Sequence, residues 1–163
     1  MTKLTLLLTI LSCTHLIAQE VQTVRIISLE NKPIIRALIN GKKANLLIDT
    51  GSDISVLHQG YSSKYGYRIF ENNQNHAAIG IKSTTKVLSA AGATVTVGDA
   101  KLYSNYFGLN LEGIIHSIQN KTSIKIAGII GSDILINYNF VIDYKKKIIT
   151  FYYKKNRHIA KSK

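Results

Sequence analysis

The apolar positions of this chain fall in short β-branched runs and not at helical spacing. Residues 24–29 and 34–39 form two such runs, and Asn40-Gly41 then leads into a third at 44–48. Asn-Gly is the pair that two-residue hairpin turns favour, because both central positions need positive φ, so a hairpin is predicted there. Further strands are predicted at 86–88, 93–97, 124–130, 139–143 and 148–153, with short helices only at 58–65 and 132–137. The polar stretch 71–76 reads as a loop, and Ser83-Thr84-Thr85 and Ala90-Ala91-Gly92 as turn tips. No polar segment is long enough to be a linker, so the pattern predicts one mostly-β domain.

The first residues follow a different pattern. Met1-Thr2-Lys3 gives a positive start, an apolar stretch runs over 4–11, and Leu16-Ile17-Ala18 ends on a small residue before Gln19-Glu20. This is the layout of a secretory signal, expected at 1–18, with export to a bacterial periplasm or exterior. A second layout is also present, because Ile10-Leu11-Ser12-Cys13 resembles a lipoprotein cleavage site that would leave Cys13 as a lipid anchor. Cleavage after Ala18 removes the single cysteine and leaves a chain without disulfides or a thiol nucleophile. The apolar stretch is shorter than the ~20 residues that span a bilayer, so no transmembrane segment is expected.

Composition narrows the classes. With 163 residues, 45% of them hydrophobic and one proline, the chain is neither collagenous nor low-complexity, and it can bury a core. The formal charge of +12 is concentrated partly in Lys145-Lys146-Lys147 and in a basic tail at 154–163. The first cluster sits where a hairpin turn belongs and the second at a chain end, which reads as solvated charge, with no specific nucleic-acid partner expected. A basic binder of nucleic acid or an envelope surface would show affinity that falls steeply with salt. His58, His76, His116 and His158 are isolated, without metal-ligand spacing, so neither a metal nor another cofactor is expected.

One internal echo organises the rest. Gly51-Ser52-Asp53-Ile54 recurs 80 residues later as Gly131-Ser132-Asp133-Ile134, each after an apolar strand, as two related halves of one domain would. The first copy is preceded by Leu46-Leu47-Ile48-Asp49-Thr50, the second by Ala127-Gly128-Ile129-Ile130, so the acid at Asp49 occurs once. A carboxylate ending a run of buried type must be paired or used, and Thr50-Gly51-Ser52 supplies a tight turn with hydroxyls able to orient it.

Leu46-Leu47-Ile48-Asp49-Thr50-Gly51-Ser52 resembles the active-site signature of pepsin-type aspartic proteases. The segment 127–135 is similar to the apolar-apolar-Gly motif and following helix of retropepsin-like domains, and 140–151 to the closing hairpin of their bacterial single-domain, exported members. The resemblance spans roughly 31–153 and implies a retropepsin-like acid protease half-barrel with one or two short helices, bounded at 19–153.

The resemblance also implies an aspartic endopeptidase. Such enzymes hydrolyse peptide bonds with two carboxylates that share one proton, one acting as base toward water and the other as acid toward the carbonyl oxygen. With one such acid per chain, a homodimer is expected, with Asp49 of each copy as the catalytic dyad acting on a peptide or protein substrate. Thr50, Gly51, Ser52 and Gly131 would support the site. Viral members carry an Arg where this chain has Ser132, so the ion pair to Asp53 is missing; Asp53 would contact substrate, or cap the turn that follows it. Asp133 is expected to cap the helix it opens. A flap hairpin is expected between residues 78 and 93. The alternative reading is a retropepsin-like domain that serves as a binding or assembly module of the cell envelope without catalysis.

Overall fold

The computed structural model describes residues 19–30, 32–71 and 87–154. The expected signal at 1–18, residues 72–86 with the first arm of the expected flap, and the tail beyond Lys154 lie outside the described residues. The elements run β1 (Gln19–Ser28), β2 (Ile34–Ile39), β3 (Lys42–Ile48), β4 (Val56–His58), a 3-10 turn (Gln59–Tyr61), α1 (Ser62–Tyr65), β5 (Arg68–Phe70) and β6 (Leu88–Ala91). They continue as β7 (Val95–Val97), β8 (Ala100–Leu102), β9 (Phe107–Leu109), α2 (Glu112–Thr122), β10 (Gly128–Ile130), α3 (Ser132–Asn137), β11 (Val141–Asp143) and β12 (Ile148–Lys154).

Hydrogen bonding orders the strands β11-β12-β1-β2-β3-β10-β4-β9-β6-β5, with β7 on β2 and β8 on β7. The predicted hairpin is β2–β3: Asn40 (φ 48) and Gly41 (φ 78) both take the left-handed conformation its tight turn requires. The Asn40 side chain fixes this turn further, donating to the Gly92 carbonyl at 3.0 Å and accepting from the Thr94 N–H at 2.8 Å. At the far edge β1 pairs along its length with β12, from Gln19 opposite Lys154 to Arg25 opposite Ile148, and Ile149 and Phe151 turn inward from β12 to full burial.

The central strands divide their side chains between two apolar clusters, as the two-residue period requires. Ile35, Ala37, Ile39, Ala44, Leu46 and Ile48 enter the larger cluster with Phe151 and Ile134. Ile34 and Leu47 face the opposite way and pack with Val56, Ile115, Ile118, Ile126 and Ile129. Burial on both faces is why 46–48 reads as a continuous apolar run.

Helix α2 corrects the sequence reading, which placed helices only at 58–65 and 132–137. Gly113 and the β-branched Ile114, Ile115, Ile118 and Thr122 are poor helix formers, and burial of Ile115 and Ile118 against the second cluster overrides that preference. The Asn110 side chain accepts from the Glu112 N–H at 3.0 Å at one end, and Ser123 closes the other with φ 59. The strand expected at 124–130 is confined to Gly128–Ile130; before it, the Lys125 carbonyl accepts from the Asn45 side chain at 3.1 Å. Ala90 and Ala91 belong to β6, and the turn falls on Gly92 (φ 75) alone.

Candidate active site

Asp49 follows the last residue of β3, where that strand is flanked by β2 and β10. Strand β10 runs parallel to β3, with Ile129 opposite Leu47 and Ile130 opposite Ile48, and antiparallel to β4 on its other side. The Asp49 N–H donates to the Ile130 carbonyl at 3.0 Å, so the ladder is carried one residue past the strand and the acid is seated on it. The chain then turns: the Ser52 N–H donates to the Asp49 carbonyl at 3.1 Å, and the Gly51 N–H donates to Asp49 Oδ1 at 3.0 Å. A Cβ on Gly51 would stand 3.3 Å from that oxygen, so glycine leaves the approach open.

The two copies of the echo lie against each other. The Ser132 N–H donates to the Ser52 carbonyl at 2.7 Å, the Asp133 N–H to the Asp53 carbonyl at 3.2 Å, and the Ser132 hydroxyl to the Thr50 carbonyl at 3.1 Å. Gly131 makes this closeness possible, since a Cβ there would meet the Ile54 carbonyl oxygen at 2.5 Å and the Ser52 oxygen at 2.7 Å. The second motif is therefore the floor on which the Asp49 loop rests. The Ser52 hydroxyl donates to the Ile54 carbonyl at 2.8 Å, holding the outgoing arm of the loop.

A hydroxyl the sequence reading passed over joins the halves. Ser55 is fully buried; its hydroxyl donates to Asp133 Oδ1 at 2.7 Å and accepts from the Gly131 N–H at 2.9 Å. Asp133 Oδ2 accepts from the Ser104 hydroxyl at 2.9 Å. Asp133 thus does not cap α3 as expected: its carboxylate reaches away from the helix to two serines distant in sequence. Burial, with Tyr138 and Asp133 adding to it, pushes the ionisation of the neighbouring Tyr106 well above its usual range. Asp53 is exposed, and strand β4, not a helix, follows it, so it caps no helix.

Asp49 also has a counter-ion that the sequence did not suggest. Lys32 Nζ stands 2.5 Å from Asp49 Oδ2, the two side chains being 49% and 17% exposed. Beside this pair lies a mostly apolar cavity of about 450 Å³, walled by Leu47 and Ile129 from the sheet and by Gly113, Ile114, Ser117 and Ile118 from α2. Helix α2 is tied down at its start by His58, whose buried Nδ1 accepts from the Leu111 N–H at 3.1 Å. Loss of solvent lowers the readiness of His58 to take a proton, against smaller raising influences from Leu109 and Glu112. Its carbonyl accepts from the Tyr67 hydroxyl at 2.6 Å.

Thr50, Gly51, Ser52 and Gly131 are thus brought around Asp49, and Asp53 lies on the rim of the same loop. Among the described residues no group of three His, Cys, Asp or Glu side chains is placed to hold a metal ion, and no helix is long and apolar enough to cross a membrane. Of the expected flap, only the 87–93 arm is described, where β6 lies antiparallel to β5 and to β9.

Comparison with known proteins agrees with this arrangement. The family model described as "Aspartyl protease" matches residues 35–134, which takes in both motifs. Among solved structures, the fold is similar to a retropepsin-like aspartic protease from Rickettsia conorii, at 16% identity and a TM-score of 0.52, over 83% of this chain and 94% of that one. It is also similar to the retroviral protease-like domain of Ddi1 from Leishmania major, at 13% identity and a TM-score of 0.50, over 78% of this chain and 97% of that one. No curated protein sequence matches the chain significantly.

Proposed function

The chain belongs to the aspartyl protease family and has the retropepsin-like fold, and on that premise we propose that it is an exported endopeptidase whose catalytic dyad is Asp49 from each of two copies. The observation that carries this reading is the setting of Asp49. A carboxylate seated by the sheet at its N–H, with one oxygen held by the Gly51 N–H, is fixed in position while its other oxygen is directed to a neighbour. One such acid per chain supplies half of a dyad.

In the dimer the two Asp49 carboxyls face across the two-fold axis and share a proton. The ionised member takes a proton from water as that water attacks the scissile carbonyl. The protonated member hydrogen-bonds the carbonyl oxygen, and the amine leaves with the proton that the first member acquired. Thr50, Gly51 and Ser52 hold the loop, Gly131 gives it its floor, and the exposed Asp53 contacts substrate backbone. The cavity between Leu47, Ile129 and α2 fits an apolar side chain next to the cleaved bond. Export rests on the 1–18 signal pattern and is tested by cell fractionation with mass measurement of the mature N-terminus; an intact Met1 in the cytoplasm overturns it.

A second reading is favoured by the Lys32 contact. In the single chain the Asp49 oxygen that a dyad needs is occupied by an ammonium group, as suits a retropepsin-like module that binds without cleaving. Cleavage of a diverse peptide pool from about pH 3 to 8, with Asp49→Asn alongside, separates the two. The endopeptidase reading expects cleavage that disappears in folded Asp49→Asn; no cleavage by a folded dimer at any pH in that range supports the module.

A further inference from the structure

At the end of the β2–β3 hairpin remote from Asp49 is a cavity of about 440 Å³ whose charged lining is entirely positive. Arg36 from β2, Lys43 from β3, Lys64 from α1 and Lys125 from the segment after α2 surround it, with Asn45, Thr96 and the Tyr65 ring completing the wall. No carboxylate lines it, and the ion pairs Lys32–Asp49 and Lys146–Asp143 lie elsewhere. Arg36 is opposite Asn45 in the β2–β3 register and Lys43 is opposite Leu38, so this end of the sheet face carries cations where the other end carries Leu47 and Asp49.

Two further features mark this as a formed site and not a scatter of surface charge. The Lys64 ammonium lies 5.5 Å from the Tyr61 ring centre and 4.9 Å from that of Tyr65, and the Lys125 ammonium also lies 5.5 Å from the Tyr61 centre. Cation–π contact therefore holds both ammonium groups against the Tyr61 ring beside the cavity, where each can meet an anion. The backbone that carries them is also fixed. Lys42 Nζ donates to the Lys64 carbonyl at 2.6 Å, the Tyr65 hydroxyl to the Lys43 carbonyl at 3.3 Å, and Asn45 Nδ2 to the Lys125 carbonyl at 3.1 Å.

We propose that this cavity is a binding site for a compact multivalent phosphate, distinct from the protease cleft. A concave site suits a small ligand of high charge density better than an extended polymer. Arg36 offers a planar fork for two phosphate oxygens, and the three ammonium groups supply point charges around it. The phosphate can arrive free in solution or on a lipid headgroup, and the two sources present the same chemistry to the four cations.

The test uses inorganic pyrophosphate, titrated by calorimetry, and vesicles of phosphatidic acid, whose headgroup is a phosphate monoester of up to two charges, against phosphatidylcholine. Arg36→Gln/Lys43→Gln and, independently, Lys64→Gln/Lys125→Gln should each weaken pyrophosphate binding about tenfold or more while keeping the circular dichroism of the parent. Lys145→Gln/Lys146→Gln, which removes the same charge from the β11–β12 turn, should leave binding unchanged, and so should Asp49→Asn. Binding of pyrophosphate without capture by phosphatidic acid vesicles identifies a free phosphate; capture that the cavity variants lose identifies a headgroup. Equal loss in the turn variant and the cavity variants would overturn the proposal, as would failure of the parent to bind either probe. Because Asp49→Asn is expected to bind normally, the fate of this site is independent of the fate of the protease reading.

Discussion

At the scale of single residues the contact that most constrains the chemistry is Lys32 on Asp49. An ammonium at 2.5 Å is a counter-ion for one carboxylate, and a dyad replaces it with a second carboxyl that shares a proton. In the proposed dimer the ion pair would therefore favour the separate chain. With Lys32 half exposed it contributes about 0.2–1 kcal/mol per chain, and with two chains per dimer Lys32→Met should tighten the dimer by about two- to thirty-fold in sedimentation equilibrium; an unchanged or weaker dimer contradicts this. Ser55 acts in a different way, because its hydroxyl satisfies both the Gly131 N–H and an Asp133 oxygen inside the protein. Ser55→Ala leaves both without that partner and should cost about 1–3 kcal/mol in denaturant unfolding. A cost near zero would mean that water takes its place.

Among the elements, α2 is the one that turns the Asp49 loop into one side of a cavity, and its attachment through His58 should be sensitive to acid. A proton on His58 Nδ1 would face the Leu111 N–H that now donates to it. The unfolded chain takes up that proton near pH 6.5, whereas burial makes the folded chain resist it to lower pH. The unfolded state therefore binds more protons in that window, and stability falls as pH drops below about 6.5. His58→Asn keeps an acceptor without the titration, and unfolding measured from about pH 7 downward should lose this part of the slope; an identical slope in the variant contradicts the assignment.

The same elements show what the sequence could carry. Asn40-Gly41 specifies its turn through local φ demands, and the repeated Gly-Ser-Asp-Ile marks two loops that prove to be hydrogen-bonded neighbours. The turn at Asp49 and the close approach at Gly131 were legible for the same reason, since each is written in adjacent residues. Lys32, Ser55 with Asp133, and His58 with Leu111 were not, because each function depends on a partner brought near only by the strand order. Helix α2 was hidden because its local residues disfavour the helix that its burial enforces.

For the whole molecule the decisive fact is that the chain carries one Asp-Thr-Gly acid and no second. On the proposed shared dyad, activity would belong to a pair of chains, and specific activity should fall on dilution through the dimer dissociation constant; a specific activity independent of concentration down to a demonstrated monomer contradicts the shared site. The net charge of +12 opposes the approach of two copies at low salt. Moderate salt should accordingly favour the dimer, the reverse of its effect on phosphate binding at the basic cavity.

The most direct test of the shared dyad is peptide cleavage by wild-type chains mixed in increasing proportion with Asp49→Asn chains and allowed to exchange. If each active site needs Asp49 from both copies, an equal mixture leaves about a quarter of the dimers active, and cleavage per wild-type chain falls to about half. If cleavage per wild-type chain stays constant as Asp49→Asn is added, one chain suffices and the dyad account is wrong.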